Sequence, residues 1–395
     1  MNFCSVAYTF YEFDYRVKRY AEMLNKPGNS VHVLALRRKE QKKSSYADGI
    51  RIYGIQKQPR FEKKKIDYLI GIIWFFIAGS YLLLKNYIKY QYKIIHIHNV
   101  PDFLIFMALI PKFLGAKIIL DIHDILPEFY CQKFGKEMKS LLAKILLLIE
   151  KIAVHFADHI ITGNELWREK IIRRDKIQPY DCTALLNYPN MGFFRKKNSK
   201  ERRDDKFKII YPGTISHIHG LDIAIEAIAE IQKVVPNIEM DIYSRRNNDS
   251  YCRLLEEIIR EKDLDDRIRF HDAVRPEDLG GVYYDSDLGI VPKRNGIFSS
   301  EAFSTKIFDF MAAGLPIVAS KTKIDEYYFS DSQIMFFQAE NSVSLSDAII
   351  SLYRNPEKRK ALSENGRKYV EINNWGSHKK IYEDIVDKLL MGRNR

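Results

Sequence analysis

Cysteine is scarce in this sequence, and its four cysteines, Cys4, Cys131, Cys182 and Cys252, lack the spacing of a zinc site or a disulfide framework. This pattern favours a reducing, cytoplasmic compartment over secretion. The first residues also lack a basic stretch followed by a long apolar run, so we expect no cleaved signal peptide. Signatures of helix-turn-helix, zinc-finger and RNA-binding modules are missing as well, which makes nucleic acid the weakest candidate partner.

Negative charge is in deficit. The 395 residues include 63 lysines and arginines against 51 aspartates and glutamates, a formal net charge of +12. A positive field of this kind attracts nucleic acid, anionic lipid and phosphorylated small molecules alike, so the charge does not choose among them. A lysine-rich composition that merely reflects the genome is the alternative explanation.

A length of 395 residues exceeds that of one typical core, so we expect two domains. In each half, short apolar runs alternate with longer stretches of helical periodicity, which predicts parallel sheets wrapped by helices. Residues 187–206 are polar, charged and poor in periodicity, as connectors are. The sequence therefore predicts an α/β protein of two doubly wound, Rossmann-like domains, 1–195 and 205–375, with a C-terminal helix at 376–395.

The segment SSEAFSTKIFDFMAAGLPIVAS, residues 299–320, predicts a helix, a tight turn and a buried strand. Ser304 and Thr305 would lie in the first helical turn, where unpaired backbone N–H groups suit a diphosphate. Lys306 and Asp309 are three residues apart and share one face of the helix. The alternative is an ordinary amphipathic helix whose charged residues are solvated.

The same segment resembles the donor-binding motif of the family-4 retaining glycosyltransferases, which is Glu, seven residues, Glu, then Ala-Met-Ala-x-Gly-x-Pro-Val-Val-Ala. Glu301 matches the first acid, which the resemblance implies contacts hydroxyls of the transferred sugar. Asp309 stands at the second acid and is implied to bind the ribose, because the shorter side chain keeps the carboxylate. Lys306 and the backbone N–H groups near Phe303 to Thr305 are implied to hold the phosphates. In this family two domains face each other across a cleft, and the last helix returns to the first domain.

Residues 211–231, YPGTISHIHGLDIAIEAIAEI, predict a strand, a glycine turn and a helix, which makes Gly213 and Thr214 candidates for contacts to the diphosphate. The stretch resembles the family's Gly-Arg-x-x-x-x-Lys-Gly loop, although Thr214 and His219 stand where the family usually carries its two cations. Four residues at strand ends are candidates for the missing charge, and they are Arg245, Arg246, Lys293 and Arg294. We assign Arg245 to the diphosphate, and the alternative for each of the four is a solvated loop cation.

Polar residues end the predicted strand KIILDIHD of the first domain, so we expect His123 at the edge of that sheet. A histidine after the corresponding strand contacts the donor sugar in the family that the chain resembles, and His123 matches it. Such an imidazole hydrogen-bonds a hydroxyl or an oxyanion near neutral pH. The alternative is a capping or packing histidine, and His98 and Asn99 after the preceding strand are weaker candidates.

The apolar run YLIGIIWFFIAGSYLLL, residues 68–84, contains no charge and is flanked by lysines. At roughly 17 residues it is at the lower limit for a membrane span, and a span would separate strands of one predicted sheet. We therefore expect residues 63–89 to form a helix that is half buried in the first domain and half dipped into an anionic membrane surface. A fully buried helix or a dimer contact is the alternative.

These features predict a retaining glycosyltransferase of hexosyl or N-acetylhexosaminyl type that builds a surface polysaccharide or a glycolipid on a lipid-linked or oligosaccharide acceptor. We expect a nucleotide-sugar co-substrate, UDP-linked in preference to GDP-linked, with no other cofactor and no metal, since the resemblance implies fixed donors around the diphosphate. The expected location is the cytoplasmic face of the cell membrane, as a peripheral protein. The alternatives are a sugar-nucleotide epimerase of the same fold and a catalytically silent, membrane-associated nucleotide-sugar-binding protein.

Overall fold

The computed structural model describes residues 1–57, 65–194, 205–245, 250–275 and 278–392. The chain forms two compact units, of which the first contains Met1–Leu186 with Lys379–Arg395 and the second contains Asn187–His378. The boundary predicted at 195–205 falls almost wholly outside the described residues, and the division between the units lies at Leu186. The predicted C-terminal segment 376–395 is divided, with all but its first residues in the first unit.

The sheet of the first unit contains these described strands: β1 (Asn2–Phe10), β2 (Ser30–Arg37), β3 (Ser44–Ala47), β4 (Ile50–Lys57), β5 (Ile94–His98), β6 (Lys117–Ile122), β7 (His159–Thr162) and β8 (Cys182–Ala184). Their order across the sheet is β3-β4-β2-β1-β5-β6-β7-β8. The strands pair in parallel except β3, which is antiparallel to β4. The sequence pattern predicts the parallel strands that are apolar, whereas β3 and β8 are too short and too polar to stand out.

The described α-helices of residues 1–186 are α1 (Tyr15–Leu24), α2 (Lys65–Tyr90), α3 (Leu109–Phe113), α4 (Leu126–Phe134), α5 (Leu141–Phe156) and α6 (Glu165–Asp175), with a 3₁₀ segment, Asp102–Ala108, before α3. Side-chain caps explain where three of them begin, at Asp14, Ser140 and Asn164. The carboxylate of Asp14 accepts a hydrogen bond from the Val17 N–H at α1, and the amide oxygen of Asn164 accepts one from the Trp167 N–H at α6.

The second unit has these described strands: β9 (Phe207–Pro212), β10 (Ile238–Tyr243), β11 (Ile268–His271), β12 (Leu288–Val291), β13 (Ile317–Ser320) and β14 (Met335–Phe337). Its described helices are α7 (Leu221–Ile231), α8 (Ser250–Glu261), α9 (Leu279–Tyr284), α10 (Thr305–Ala313), α11 (Lys323–Tyr328), α12 (Ser342–Arg354) and α13 (Pro356–Ile372), and α14 (Trp375–Leu390) ends in the first unit. The strand order is β11-β10-β9-β12-β13-β14, and each neighbouring pair is parallel. The carboxyl ends of all these strands therefore share one edge, and the chain direction across the sheet reverses between β9 and β12, where doubly wound folds bind ligands.

The core of the second unit lies between its sheet and the helices that cover it. Ile209 of β9, Ile290 of β12, Leu221 and Ile228 of α7 and Leu345 of α12 are fully buried. Near-continuous apolar strands are typical of parallel sheets covered on both faces. This buried core supports the carboxyl ends of the strands at that edge of the sheet.

Candidate functional site

Helix α10 begins at the carboxyl edge of the second sheet. Ser304 occupies the N-cap position and Thr305 is the first helical residue, so the first turn lies where the sequence pattern predicts it. The helix is held from behind by the buried side chains of Phe308, Phe310 and Met311. The N–H groups of a first helical turn have no partner within their own helix, so this end of α10 is suited to an anion.

Two neighbouring cavities open at this edge of the sheet. The larger has a volume of about 600 Å³, and its walls include the predicted residues Gly213, Thr214, Arg245 and Asp309. The smaller has a volume of about 190 Å³, and its walls include the predicted residues Phe303 and Ser304. Both cavities are lined by His219, Thr305 and Lys306. The start of α10 is therefore the point at which the cavities meet.

Gly213 allows the side chain of Lys306 to cross the end of β9. A Cβ atom at Gly213 would lie 2.4 Å from Cε of Lys306, and the φ angle of +137° is one that other residues rarely adopt. Nζ of Lys306 lies 5.2 Å from the ring centroid of Tyr211, a cation–π contact. The ammonium group is thus fixed next to the glycine turn, where a diphosphate would bring two negative groups.

Lys306 and Asp309 have shifted pKa values because both are withdrawn from water. Burial, with a smaller effect of Lys293, lowers the pKa of Lys306 to about 8. Burial raises the pKa of Asp309 to about 7, although the charge of Lys306 opposes this shift. Shifts of this kind in a concave site are typical of groups that bind or react.

His219 belongs to the site, although sequence comparison gives it little weight because it replaces a cation. Burial, together with the charges of Lys306 and Lys293, lowers the pKa of His219 to about 3, so its imidazole is neutral. The loop is held by Gly220, whose φ is +63° and where a Cβ atom would lie 2.0 Å from the carbonyl oxygen of Pro292. His219 therefore offers a hydrogen bond, rather than a charge, to whatever occupies the two cavities.

The candidate cations at the strand ends have different environments. Arg245 is exposed and lines the larger cavity, whereas Arg246 lies outside the described residues. Lys293 lines the smaller cavity, but its ammonium group is 2.9 Å from Oδ2 of Asp325 and donates a 2.8 Å hydrogen bond to the Ala302 carbonyl. The structure therefore brings Arg245 to the site as an exposed cation and Lys293 as a paired, supporting one.

Arg294 acts as a clamp between loops. Its Nε donates a 3.0 Å hydrogen bond to the carbonyl of His217, and its guanidinium also contacts the carboxylates of Asp222 and Glu340. These contacts join the loop after β12 to the turn before α7. Arg294 thus fixes the wall of the site from outside the two cavities.

Glu301 lies one turn before α10 and is only 7% exposed. Its Oε1 accepts a 2.8 Å hydrogen bond from Nζ of Lys323 at the start of α11. Ser299 and Ala302, on either side of it in the chain, line the smaller cavity, while Glu301 is not among the lining residues of either cavity. Its contact with a sugar therefore stays a prediction.

His123 follows β6 in the first unit and joins a cluster of polar side chains. Its Nε2 is 3.1 Å from Oδ2 of Asp121, and its backbone N–H donates a 2.8 Å hydrogen bond to the side-chain oxygen of Asn99. Nδ1 of His98 and Nε of Arg16 lie 3.0 and 2.9 Å from the same oxygen of Asp121. If the nitrogens that face the carboxylate carry the protons, Nδ1 of His123 remains as an acceptor.

Asp121 and Arg16 are site residues that the sequence analysis does not identify. Burial by itself raises the pKa of Asp121, but Arg16, His123 and His98 hold it well below its usual range. The signal available in the sequence was the acid two positions before His123 on a strand that is otherwise apolar. A charged residue in such a strand needs a buried partner, and Arg16 supplies it.

Within the described part of the chain, one group of side chains has the geometry of a metal site. His96, His98 and Asp121 place ligand atoms within 4.8 Å of one another, and all three residues are buried. The guanidinium of Arg16 already contacts both oxygens of Asp121, so a metal ion at this point would face a fixed positive charge. We therefore interpret the group as a network that orients His123.

Two family profiles match this chain. The profile described as Glycosyltransferase Family 4 matches residues 15–187, and the profile described as Glycosyl transferases group 1 matches residues 193–369. A curated relative, the D-inositol 3-phosphate glycosyltransferase of Corynebacterium kroppenstedtii, is 21% identical over 259 residues, which are 61% of this chain and 56% of the relative. The chain thus spans little more than half the length of that relative.

Solved structures of similar fold match nearly the whole chain. A sucrose-phosphate synthase from Thermosynechococcus elongatus has a TM-score of 0.79 at 17% identity, with 99% of each chain covered. The HepE protein of Anabaena, solved in complex with UDP-glucose, has a TM-score of 0.71 at 14% identity, with 98% of this chain and 100% of that chain covered. At such identities the likeness shows the fold, which is the two-domain, Rossmann-like fold called GT-B.

Proposed function

Because this chain belongs to the group 1, family 4 glycosyltransferases and has the GT-B fold, we propose that it transfers a sugar from a UDP-sugar to a saccharide acceptor with retention of configuration. One observation carries the proposal. A cavity of about 600 Å³ and a cavity of about 190 Å³ meet at the start of α10, beside the side chain of Lys306, which lies close to Gly213. A nucleotide-sugar has the same order of parts, with a diphosphate between a nucleoside and a sugar.

In the proposed complex the nucleoside occupies the larger cavity. The carboxylate of Asp309 accepts the ribose hydroxyls, and the base lies near Tyr243 and the loop at Ala273 and Val274, which line the same cavity. UDP is favoured over GDP because HepE, which shares the fold, was solved with UDP-glucose.

The diphosphate would lie at the junction of the two cavities. Thr305 and Lys306 belong to the first turn of α10, where backbone N–H groups are suited to an anion. Lys306 and the neutral imidazole of His219 line both cavities. Arg245 supplies a second cation from the rim. Such fixed donors stabilise a leaving diphosphate without a metal, so we expect none to be required.

The sugar would occupy the smaller cavity, near Ser299 and the chain from Ala302 to Ser304. We assign Glu301 to its hydroxyls. The carboxylate of Glu301 is held by its ion pair with Lys323, and Glu301 directly precedes Ala302 of the cavity wall. In the first unit, Asp121 orients the imidazole of His123, which we also assign to the recognition of a hydroxyl. Imidazole nitrogens and carboxylate oxygens suit hydroxyl recognition because each forms a hydrogen bond in a defined direction.

The proposed reaction needs no covalent intermediate. The bond between the anomeric carbon and the β-phosphate oxygen breaks, and the acceptor hydroxyl oxygen bonds to the same face of that carbon. The hydroxyl proton passes to the departing phosphate, whose charge Lys306 and the start of α10 stabilise. The transferred group is a hexosyl or N-acetylhexosaminyl unit, and the acceptor is a lipid-linked or oligosaccharide chain of a surface polysaccharide or glycolipid.

A thermal-shift panel tests the donor assignment. We expect UDP-sugars to raise the melting temperature of the purified protein more than GDP-, TDP- or CMP-sugars do, because a ligand that binds only the folded state stabilises it by mass action. Equal or absent shifts across the panel would contradict the UDP assignment. Release of UDP that depends on an added acceptor then identifies transfer, whereas conversion of the donor alone would favour an epimerase.

Substitution of Glu301 tests the catalytic assignment. Glu301→Gln keeps the size of the side chain and should lower the transfer rate by about 10²-fold while the UDP thermal shift is retained, since the lost contact is to the sugar. Glu326→Gln is the matched control, because Glu326 is an exposed acid of α11 that pairs with Lys321. Full activity of Glu301→Gln would refute the role of Glu301.

A further inference from the structure

Helix α2 presents a stripe of large apolar side chains to the outside of the first unit. Ile70, Trp74, Ile77 and Tyr81 recur every three or four residues, and each is more than half exposed. This spacing places them on one side of the helix. Single exposed apolar residues are normal in soluble proteins, whereas a continuous stripe marks an interaction surface.

Two further segments continue the stripe. Phe113 at the end of α3 is 82% exposed, and Leu141, Ile145, Leu148 and Ile152 recur with helical spacing along the outward side of α5. We define the apolar face as these outward side chains of α2, α3 and α5. The sequence analysis predicts a membrane contact for α2 alone, so α3 and α5 extend it to three helices.

The three segments adjoin one another. The 3₁₀ segment Asp102–Ala108 lies between α2 and α5, because Phe103 contacts Phe76 of α2 and Phe106 contacts Phe156 of α5, with ring centroids 5.7 and 5.5 Å apart. The chain also passes from β4 through β5 and β6 to β7 in a single direction across the sheet. Right-handed crossovers then place α2, α3 and α5 on the same side of that sheet.

The inward side of α2 belongs to the core of the unit. Phe75 and Leu83 are fully buried, and the Phe75 ring contacts Tyr8 of β1 with centroids 5.1 Å apart. The helix has 26 residues, or about 39 Å at roughly 1.5 Å per residue, and residues 67–90 are long and apolar enough to cross a bilayer. However, α2 connects β4 and β5 of one sheet, so the helix lies along the first unit and does not cross a bilayer.

The charges near the apolar face are predominantly positive. Among the described side chains of α2 and α5, the exposed lysines are Lys85, Lys89, Lys144 and Lys151. Within α2 and α5 the acidic residues are Asp67, exposed at the start of α2, and Glu150, which is buried and pairs with Arg174. Trp74 and Tyr81 are residues that favour the boundary between hydrocarbon and headgroups. Apolar side chains among lysines complement an anionic lipid surface.

We propose that the apolar face docks the first unit onto an anionic lipid bilayer, with α2, α3 and α5 in contact with its surface. Apolar side chains of such interfacial helices enter the headgroup and acyl boundary to a depth of about 5–10 Å. The docking is inferred from the apolar face alone. Its role in bringing the enzyme to a lipid-linked acceptor rests on the proposed function. A docked enzyme meets such an acceptor by diffusion in two dimensions.

Vesicle sedimentation of the full chain tests the docking. The wild-type protein should sediment with vesicles of phosphatidylcholine and phosphatidylglycerol and less with phosphatidylcholine alone. The variant Ile77→Gln, Phe113→Gln, Leu148→Gln changes one exposed side chain on each helix and should weaken binding about tenfold or more. The matched control is Leu254→Gln, Tyr327→Gln, Val343→Gln, which changes exposed apolar residues of the second unit and should bind as the wild type does.

The double variant Phe113→Gln, Leu148→Gln tests the extension beyond α2 and should bind at least about threefold more weakly than the wild type. Wild-type binding by the double variant would confine the contact to α2 and overturn the proposal. Wild-type protein that stays in solution would also overturn it. A lipid-free dimer that the triple variant converts to a monomer, with no vesicle binding by either, would assign the face to a second copy of this chain.

The UDP thermal shift of the same variants separates the two proposals. Vesicle binding without any UDP shift would support the docking and count against the donor assignment. A normal UDP shift without vesicle binding would support the donor assignment and count against the docking.

Discussion

At the scale of single residues, Lys306 and Asp309 are the titratable groups whose charges the proposed donor needs. Their shifted pKa values predict how donor affinity depends on pH. As the pH rises through about 7, Asp309 gains the negative charge that accepts ribose hydroxyls, so affinity should rise. As the pH rises through about 8, Lys306 loses the positive charge that attracts phosphate, so affinity should fall.

We therefore expect the affinity for a UDP-sugar to be highest between about pH 7 and pH 8, as measured by calorimetry in buffers of constant ionic strength. A UDP-sugar is preferable to UDP because its diphosphate has no terminal group that titrates in this range. Asp309→Asn should lower the affinity about tenfold and remove the acidic limb. The alkaline decline should remain but move to lower pH, because the Asp309 carboxylate raises the pKa of Lys306. An affinity of the wild type that is constant from pH 6 to 9 would contradict the assignment of both residues.

At the scale of elements, the approach of α10 to the end of β9 depends on Gly213. Gly213→Ala adds a Cβ atom 2.4 Å from Cε of Lys306 and strains a backbone whose φ is +137°. Strain of this kind costs about 1–3 kcal/mol, and we expect the UDP-sugar affinity to fall at least about tenfold because Lys306 is displaced.

The matched control is Gly281→Ala. Gly281 lies in α9, and a Cβ atom there meets no other atom within 4 Å. We expect the control to keep the wild-type affinity, as measured in the same calorimetric assay. Equal affinities of the Gly213 variant and the wild type would show that the close approach has no part in donor binding.

Sequence reasoning identifies the site residues that lie close to one another along the chain. Ser304, Thr305, Lys306 and Asp309 fall within one helical turn or two, so the helix signal fixes their relative places, and the structure has them at the start of α10. The turn at Gly213 and the strand β12 were also predictable. The turn follows the apolar run of β9, and β12 is itself an apolar run.

Contacts between distant loops could not be predicted in the same way. Three interactions join residues that are far apart in sequence: Lys293 pairs with Asp325, the charges of Lys306 and Lys293 lower the pKa of His219, and Arg16 contacts Asp121. Their proximity follows from the order of strands in each sheet. The burial of Phe75 could not be predicted either, because an apolar run without charges has no polar side that shows which face of the helix is buried.

At the scale of the whole molecule, the chain returns to its first unit through α14. Tyr382 is fully buried there, 4.5 Å from Tyr20 between ring centroids, and its hydroxyl lies 2.9 Å from Nδ1 of His96. The last helix is therefore part of the first core, so its loss should affect the first unit more than the second.

Tyr382→Ala should destabilise the first unit by about 3–5 kcal/mol, as other large-to-small aromatic substitutions in cores do. Tyr382→Phe keeps the ring and should cost only about 1 kcal/mol. Calorimetric unfolding with and without UDP assigns the transitions, because the nucleotide should shift the transition of the second unit alone. Identical unfolding of the alanine variant and the wild type would show that α14 contributes little to the first core.

The clamp made by Arg294 has a kinetic consequence. Because the carbonyl of His217 and the carboxylates of Asp222 and Glu340 hold this arginine, the wall around the donor is shaped during folding and not on arrival of the ligand. Little conformational freedom is then lost on encounter. Nucleotide association should show a single fast phase. The lifetime of the complex should be set by the rate at which the diphosphate dissociates.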